Sequence, residues 1–226
     1  MNDIKEAVLA QDGGGSPVLA AAAGFNPGYL SVKRSIDLAG ALLIGLALLP
    51  LMLVLAVLVA MDGGSPFYTQ ERLGQHGRTF RIWKFRTMVL DAETRLADLL
   101  ARDPEARREW THTQKLKKDP RITPVGGFLR RYSLDELPQL WNVLIGDMSL
   151  VGPRPMFEEQ RVLYPGTAYF ALRPGMTGMW QVSKRNASAF AERSRFDNEY
   201  AQLLSFRTDF TILMKTVGVV FRGTGY

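Results

Sequence analysis

The chain has 226 residues, enough for one domain with appendages, since domains usually run to about 100–200 residues. It has no cysteine and only two histidines, His76 and His112, which excludes a disulfide framework, a thiolate metal site and a cysteine nucleophile, and argues against a histidine-rich zinc centre. With 46% hydrophobic and 22% charged residues the balance is globular, but 28 Lys and Arg against 22 Asp and Glu leave +6, which suits an anionic partner: phosphates, nucleic acid or a membrane.

Residues 1–30 carry Gly13 to Gly15, Ser16, Pro17 and an alanine run without the charged, apolar and cleavage-site order of a secretory signal, and they read as a loose tail. Leu38 to Met61 follows, 24 residues without a charge. At about 1.5 Å per residue a straight helix of that length covers about 36 Å, enough to cross a bilayer. Pro50 near its centre removes a backbone hydrogen bond and clashes with the preceding turn, so a sharp bend is expected there. Lys33 and Arg34 lie before the segment and Arg72, Arg78, Arg81, Lys84 and Arg86 after it, so the positive-inside tendency draws both flanks to one side. Together these favour a re-entrant, helix-break-helix segment over a simple span. Asp37 lies three residues after Arg34 at the membrane edge, where an ion pair would be tolerable at headgroup depth.

Beyond the apolar segment, Pro66–Gln70 and Thr79–Arg86 alternate apolar and polar residues around the turn Gly74 to Gly77, the pattern of two short strands. Asp91 to Trp110 reads as a polar helix interrupted at Asp103-Pro104, and Leu116 to Pro124 as a charged, proline-bounded loop of solvated surface. Ser133 followed by Glu136 matches a capping box, and Leu134, Leu137, Leu140, Trp141 and Leu144 recur at helical spacing up to Gly146. This places Asp135 and Glu136 in a first turn, where the helix dipole favours their ionised forms. By itself that pattern serves a helix-stabilising role as well as a chemical one.

Val151-Gly-Pro-Arg-Pro155 holds Arg154 between two prolines, which presents a guanidinium from stiff backbone. Arg173-Pro-Gly-Met-Thr-Gly-Met-Trp-Gln181 repeats the scheme and is followed by Lys184 and Arg185. Rigid loops that each offer Arg point to phosphate oxygens. Phe206 to Phe221 has apolar residues at helical spacing, the pattern of a core or membrane-interface helix. A nucleic-acid-binding domain would show clustered Lys and Arg without a long apolar segment, so Leu38 to Met61 speaks against nucleic acid.

Taken as an ordered set, these pieces resemble the bacterial sugar transferase family, the monotopic polyprenyl-phosphate phosphoglycosyltransferases, from about Val32 to Tyr226. The matching residues are Lys33-Arg34-Ser-Ile-Asp37, FYTQERLG from Phe67 to Gly74, Lys84-Phe-Arg-Thr-Met88, Ser133-Leu-Asp-Glu-Leu137, Trp141-Asn142, Gly146-Asp-Met-Ser149, Val151 to Pro155, and Arg173 through Gln181-Val182. The family's Ser-Pro break appears here as Leu49-Pro50, so the bend relies on Pro50 alone.

The resemblance implies an α+β fold: a re-entrant membrane segment at 31–62, after a disordered tail at 1–30, and a small, mainly helical cytoplasmic catalytic domain at 63–226 with a short β element and interfacial amphipathic helices. It implies transfer of a hexose-1-phosphate from a UDP-sugar to undecaprenyl phosphate at the cytoplasmic face of the bacterial inner membrane, with release of UMP and Mg²⁺ as cofactor. Asp135 and Glu136 carry over as the catalytic pair and metal ligands, Asp135 as nucleophile. Lys84, Arg130, Arg154, Arg173, Gln181 and Arg185 carry over as phosphate or nucleotide contacts. Asp147 and Asp197 also fall at family-like positions, where each serves equally as a helix cap. The ending Phe221 to Tyr226 is similar to members that start exopolysaccharides with galactose or glucose. The alternative is an inactive membrane anchor or regulator of polysaccharide assembly, which an absence of UMP release would reveal.

Overall fold

A computed structural model describes residues 27–113, 116, 118–183 and 190–223. In chain order it comprises helix α1 (Pro27–Ala60), strands β1 (Phe67–Leu73) and β2 (Thr79–Phe85), and helices α2 (Ala92–Arg102), α3 (Pro104–Thr113) and α4 (Pro124–Arg131). A 3₁₀ turn at Leu134–Glu136, helix α5 (Gln139–Ile145) and strand β3 (Ser149–Val151) come next. Then follow α6 (Ala168–Ala171), β4 (Gly175–Thr177), α7 (Met179–Val182), α8 (Arg193–Gln202) and α9 (Phe206–Arg222). β1 pairs with β2 about the expected turn, and the mixed α and β character agrees with the sequence reading. The helical pattern from Asp91 does break at Asp103-Pro104, where the Asp103 side chain accepts from the amides of Glu105 and Ala106.

Helix α1 contains a 33-residue stretch, Gly28–Ala60, long and apolar enough to cross a membrane, with a mean hydropathy of 3.0 over an 18-residue window. Pro50 lies inside the helix, which continues on both sides, so the interruption expected there is not a gap in helical structure. Its apolar side chains are largely outward: Leu42, Leu43, Leu46, Leu53, Val54 and Val57 are all exposed.

The described residues fall into two compact units. One contains 27–47, 69–82 and 139–219. Its core gathers Ala41, Ile82, Leu140, Val143, Met148, Leu150, Val151, Tyr200 and Ile212. β3 and β4 pair in parallel, with Ser149 opposite Gly175 and Val151 opposite Thr177. Where the strands meet, a Cβ on Gly175 would sit 2.1 Å from the Gly152 amide nitrogen, so this approach admits only glycine. A polar network crosses the same unit. Lys33 donates to Asp209 at 2.7 Å, and Tyr29 and Tyr200 donate to the same carboxylate at 3.0 and 2.6 Å.

Lys33 is thus buried, and it is Lys33, 3.7 Å away, that pairs with Asp37. Arg34 and Asp37, close enough in sequence to pair, do not form an ion pair. Arg34 instead donates to the carbonyls of Val143 and Leu144 at 2.7 and 3.1 Å, and Arg173 donates to that of Gly146 at 3.0 Å. A helix leaves its last carbonyls unpaired, and the two arginines satisfy them where α5 ends at the left-handed Gly146 (φ 98°).

The other unit contains 48–68, 83–138 and 220–223. Its core is Leu55, Val59, Phe85 and Leu129, flanked by Met52, Val125, Leu134 and Leu137. Arg86 ties the end of α1 to the strands by donating to Asp62 and to the carbonyls of Val59, Ser65 and Met88. The proline-bounded loop is solvated only in part: Lys118, Pro120 and Pro124 are exposed, but Arg121 is 8% exposed, forks onto Asp119 at 2.8 and 2.7 Å and lies 5.0 Å over the Trp110 ring. Met88 and Ile122 form an antiparallel bridge that pulls this segment inward. Thr123 caps α4 by accepting from the Gly126 amide at 2.9 Å.

At Gly126 the helix meets backbone: a Cβ there would lie 2.0 Å from the carbonyl oxygen of Thr87. Gly126→Ala should therefore force the segments apart and destabilise the protein by about 1–3 kcal/mol. Denaturant titration of the full chain in detergent checks this; an unchanged midpoint would show that the contact yields freely.

Candidate functional site

Asp135 and Glu136 sit in the 3₁₀ turn between α4 and α5, not in the first turn of one continuous helix. The capping box is absent. Ser133 adopts a left-handed backbone (φ 55°, ψ 25°) and its side chain makes no capping hydrogen bond. This conformation costs a non-glycine residue of order 1–3 kcal/mol and persists only where surrounding structure enforces it. Here it reverses the chain after Arg131, so that Leu134 and Leu137 reach the apolar core while Asp135 turns inward and is only 9% exposed. Pro138 then stands just before Gln139, where a missing N–H does no harm to α5.

Lys84 on β2 closes the arrangement. Its Nζ lies 2.9 Å from Glu136 Oε1 and 3.4 Å from Asp135 Oδ2, so one ammonium bridges both carboxylates. Arg130 on α4 donates from Nε to Thr87 Oγ1 at 2.8 Å, and its charge acts on Asp135. Burial is the largest influence on Asp135 and raises its pKa above the ordinary carboxylate range. Lys84 opposes this, Glu136 reinforces it and Arg130 lowers it again. Among the described residues no three histidine or acidic side chains gather as a metal cage, so this pair of adjacent carboxylates is the oxygen-ligand set on offer. The arrangement provides a desolvated carboxylate with a second beside it and a cation between them, which suits nucleophilic or acid–base chemistry on an anionic substrate.

The other unit holds a second polar group. Gln181 on α7 is 5% exposed, and neither its amide nitrogen nor its oxygen has a partner among the described residues. Arg193 on α8 stacks 4.2 Å over Trp180 and 4.6 Å over Phe190, with its Nε unpaired. Burial, and after it the charge of Arg154, lowers the Arg193 pKa to about 10. Asp197 is buried inside α8 and accepts from the Tyr164 hydroxyl at 2.8 Å; burial raises its pKa to about 7 against that bond and Arg193. It is therefore no helix cap. Asp147 is held by Asn142 Nδ2 at 3.3 Å.

Of the residues singled out from sequence, Lys84, Arg130, Asp135 and Glu136 come together in one unit. Arg154, Arg173 and Gln181 belong to the other, with Arg173 engaged on Gly146. Arg185 lies outside the described residues. Arg193 and Tyr164 were missed by sequence reasoning: Tyr164 does precede Pro165-Gly166, but only folding brings these two residues to Trp180 and Asp197.

A family model described as bacterial sugar transferase matches residues 28–223. The UDP-galactose-lipid carrier transferase of Erwinia amylovora is 50% identical over 196 residues, which cover 86% of this chain and 41% of the relative. The undecaprenyl-phosphate galactose phosphotransferase of Salmonella typhimurium is 47% identical, with 86% and 41% covered. The exopolysaccharide production protein ExoY of Sinorhizobium fredii is 46% identical, with 85% and 87% covered. The chain thus spans about two fifths of the length of the first two relatives and most of the third.

The Lys84 bridge makes a titration prediction. Since burial raises the Asp135 pKa and Lys84 lowers it, Lys84→Met should move it further up, and Asp135 should take its proton at a higher pH. Carboxyl-selective difference infrared spectroscopy over a pH series, with Asp135→Asn to assign the band, measures both. An Asp135 band that titrates at an ordinary carboxylate pKa of about 4 would contradict this account.

Proposed function

The chain belongs to the bacterial sugar transferase family, and from that premise we propose that it transfers a hexose-1-phosphate from a UDP-sugar to undecaprenyl phosphate. The products are UMP and undecaprenyl-diphospho-sugar, a first membrane step of exopolysaccharide synthesis. The observation that carries the reading is the buried Asp135 bridged to Glu136 by Lys84. The names of the relatives, which concern sugar transfer to a lipid carrier, support the substrate class.

In the proposed reaction an Asp135 carboxylate oxygen attacks the β-phosphorus of the donor. The bond from that phosphorus to the bridging oxygen breaks, and UMP leaves with the oxygen and its electron pair. An acyl phosphate joins the sugar phosphate to Asp135. A phosphate oxygen of the lipid then attacks the same phosphorus, the acyl–oxygen bond to phosphorus breaks, and the Asp135 carboxylate is restored. Two steps replace one direct encounter of two anions. Lys84 and Arg130 offset the charge that gathers at the phosphoryl group, and Glu136 holds a proton or cation beside it. A cation that binds through one or two carboxylates and completes its shell with substrate phosphates and water is Mg²⁺, and the pair Asp135 and Glu136 fits that need. When bound, the cation supplies further positive charge to the diphosphate. Arg154, Arg173 and Gln181 remain assigned to phosphate or nucleotide. The unpaired Gln181 amide supports this, because a buried polar group without a partner costs about 1–3 kcal/mol and a ligand removes that cost.

We assign α1 to the bilayer as a re-entrant segment hinged at Pro50, with the chemistry on the cytoplasmic face. The lipid phosphate lies at headgroup depth, so a site held there reaches a soluble donor and a lipid acceptor without extracting the lipid. Part of the basic flank used in that argument, Lys33 and Arg34, is engaged within the fold, which leaves the proline as the stronger reason.

Two measurements test these proposals. Steady-state kinetics should be ping-pong, with UMP released from UDP-sugar before lipid is added, and Asp135→Asn should abolish both halves. Intersecting double-reciprocal lines with strong turnover in Asp135→Asn would make Asp135 a metal ligand and the lipid phosphate the direct attacker. For topology, a single cysteine at Ser16 should react with an impermeant label only after the membrane is opened, and Pro50→Leu should carry the tail across. Labelling of the unmodified helix in intact cells would rule out the hairpin.

A further inference from the structure

Helix α9 has three longitudinal rows with different chemistry. Asp209 and Ile212 face the protein and are buried, and Thr216 joins them through its bond to Thr177. Phe206, Phe210, Met214 and Val217 are 58%, 54%, 56% and 49% exposed, and their spacing of four, four and three residues places them in one stripe. Arg207, Thr211 and Lys215, four residues apart, make the third row. They line an open cavity of about 200 Å³ together with Thr208, Ser183 and the apolar side chains of Met179, Val182 and Ile212.

This cavity suits a group that only accepts hydrogen bonds. The hydroxyls of Thr208 and Thr211 already donate to the carbonyls of Leu203 and Arg207, which leaves Arg207, Lys215 and Ser183 as the donors. Neither Arg207 nor Lys215 has an ion-pair partner among the described residues. Since a water molecule takes about 30 Å³ of liquid volume, the cavity has room for a phosphate group and some hydration. A free anion would satisfy the cations and leave the apolar row beside them in water. A lipid satisfies both, with phosphate at the basic row and acyl chains along the stripe, the division of an amphipathic helix seated in the membrane interface.

The family resemblance already implies interfacial amphipathic helices; beyond that, we propose that the Arg207–Lys215 cavity of α9 holds the phosphate of an anionic phospholipid whose acyl chains lie along Phe206, Phe210, Met214 and Val217. The inference is independent of the reaction at Asp135, and none of these residues belongs to the proposed catalytic machinery.

The full chain in neutral detergent is titrated with phosphatidylglycerol or phosphatidylcholine, and retained lipid is counted by native mass spectrometry. Phosphatidylglycerol should be retained at least about tenfold more tightly, as expected for two basic groups at an anionic headgroup. R207Q/K215Q should remove the preference, and so should Thr211→Leu, which keeps both charges and obstructs the cavity. Equal retention of the two lipids, or an unchanged preference in both variants, would overturn the proposal. Displacement of phosphatidylglycerol by inorganic phosphate as readily as by phosphatidylglycerol itself would make it a free-anion site and overturn the lipid assignment. The stripe is read separately through Met214→Cys, the only cysteine in the chain, bearing an environment-sensitive dye in nanodiscs. Its emission should shift to the blue and be quenched by lipids spin-labelled near the headgroup, whereas emission as in water would refute burial of α9 in the interface.

Discussion

A carboxylate removed from water has to find a cation or a set of hydrogen-bond donors, and much of this protein is organised around that demand. Asp209 receives Lys33, Tyr29 and Tyr200; Asp119 receives the fork of Arg121; Asp197 receives the Tyr164 hydroxyl near Arg193. The groups at Asp209 and Asp197 are buried and join segments distant in the chain, Lys33 and Asp209 being 176 residues apart and Tyr164 and Asp197 33, whereas Asp119 and Arg121 are near neighbours in one loop. Breaking such a pair leaves one charge buried and uncompensated, which costs about 3–5 kcal/mol. Register between remote elements is thereby held by a few groups.

Asp135 is incompletely compensated. Its neighbours include another carboxylate, it shares its ammonium with Glu136, and its contact to that ammonium, 3.4 Å, is longer than the 2.9 Å of Glu136. The result is a carboxylate poised above the usual range, in a turn that is itself strained at Ser133. At Asp135 burial, a neighbouring carboxylate and a strained turn coincide, whereas Asp119, although burial opposes it, is held below the usual carboxylate range by the fork of Arg121.

The same physics governs the membrane side. An outward Leu and Val surface on α1 is costly in water and favourable in hydrocarbon, whereas the charges beside it are drawn into the protein by Asp209, Asp62 and the carbonyls at the end of α5. α9 differs in keeping both an exposed apolar row and cations without ion-pair partners, a combination that suits a headgroup layer better than either water or hydrocarbon alone.

Patterns with short range were legible in the sequence. The apolar segment, the two strands about Gly74–Gly77, the break at Asp103-Pro104 and the final helix depend on local periodicity and on proline and glycine, whose effects act within a few residues. The nearness of Asp135 to Glu136 is covalent, and the family resemblance marked Lys84 and Arg130 as phosphate or nucleotide contacts; that they gather at the carboxylate pair came from the fold. What tertiary structure alone decided is the partner of each charge. From sequence Arg34 stood within reach of Asp37, three residues away, and Ser133 matched a capping box, because local spacing offered those bonds. In the fold Arg34 meets stronger demand from the carbonyls that end α5, and Lys33 replaces it at Asp37. Ser133 gives up its cap so that Leu134 and Leu137 reach the core and Asp135 turns inward. Arg193 against Trp180, and Arg121 over Trp110, are likewise products of folding. Hydrophobic burial and desolvation are set by the three-dimensional surroundings, and they outweigh the fractions of a kcal/mol that neighbouring residues along a helix exchange.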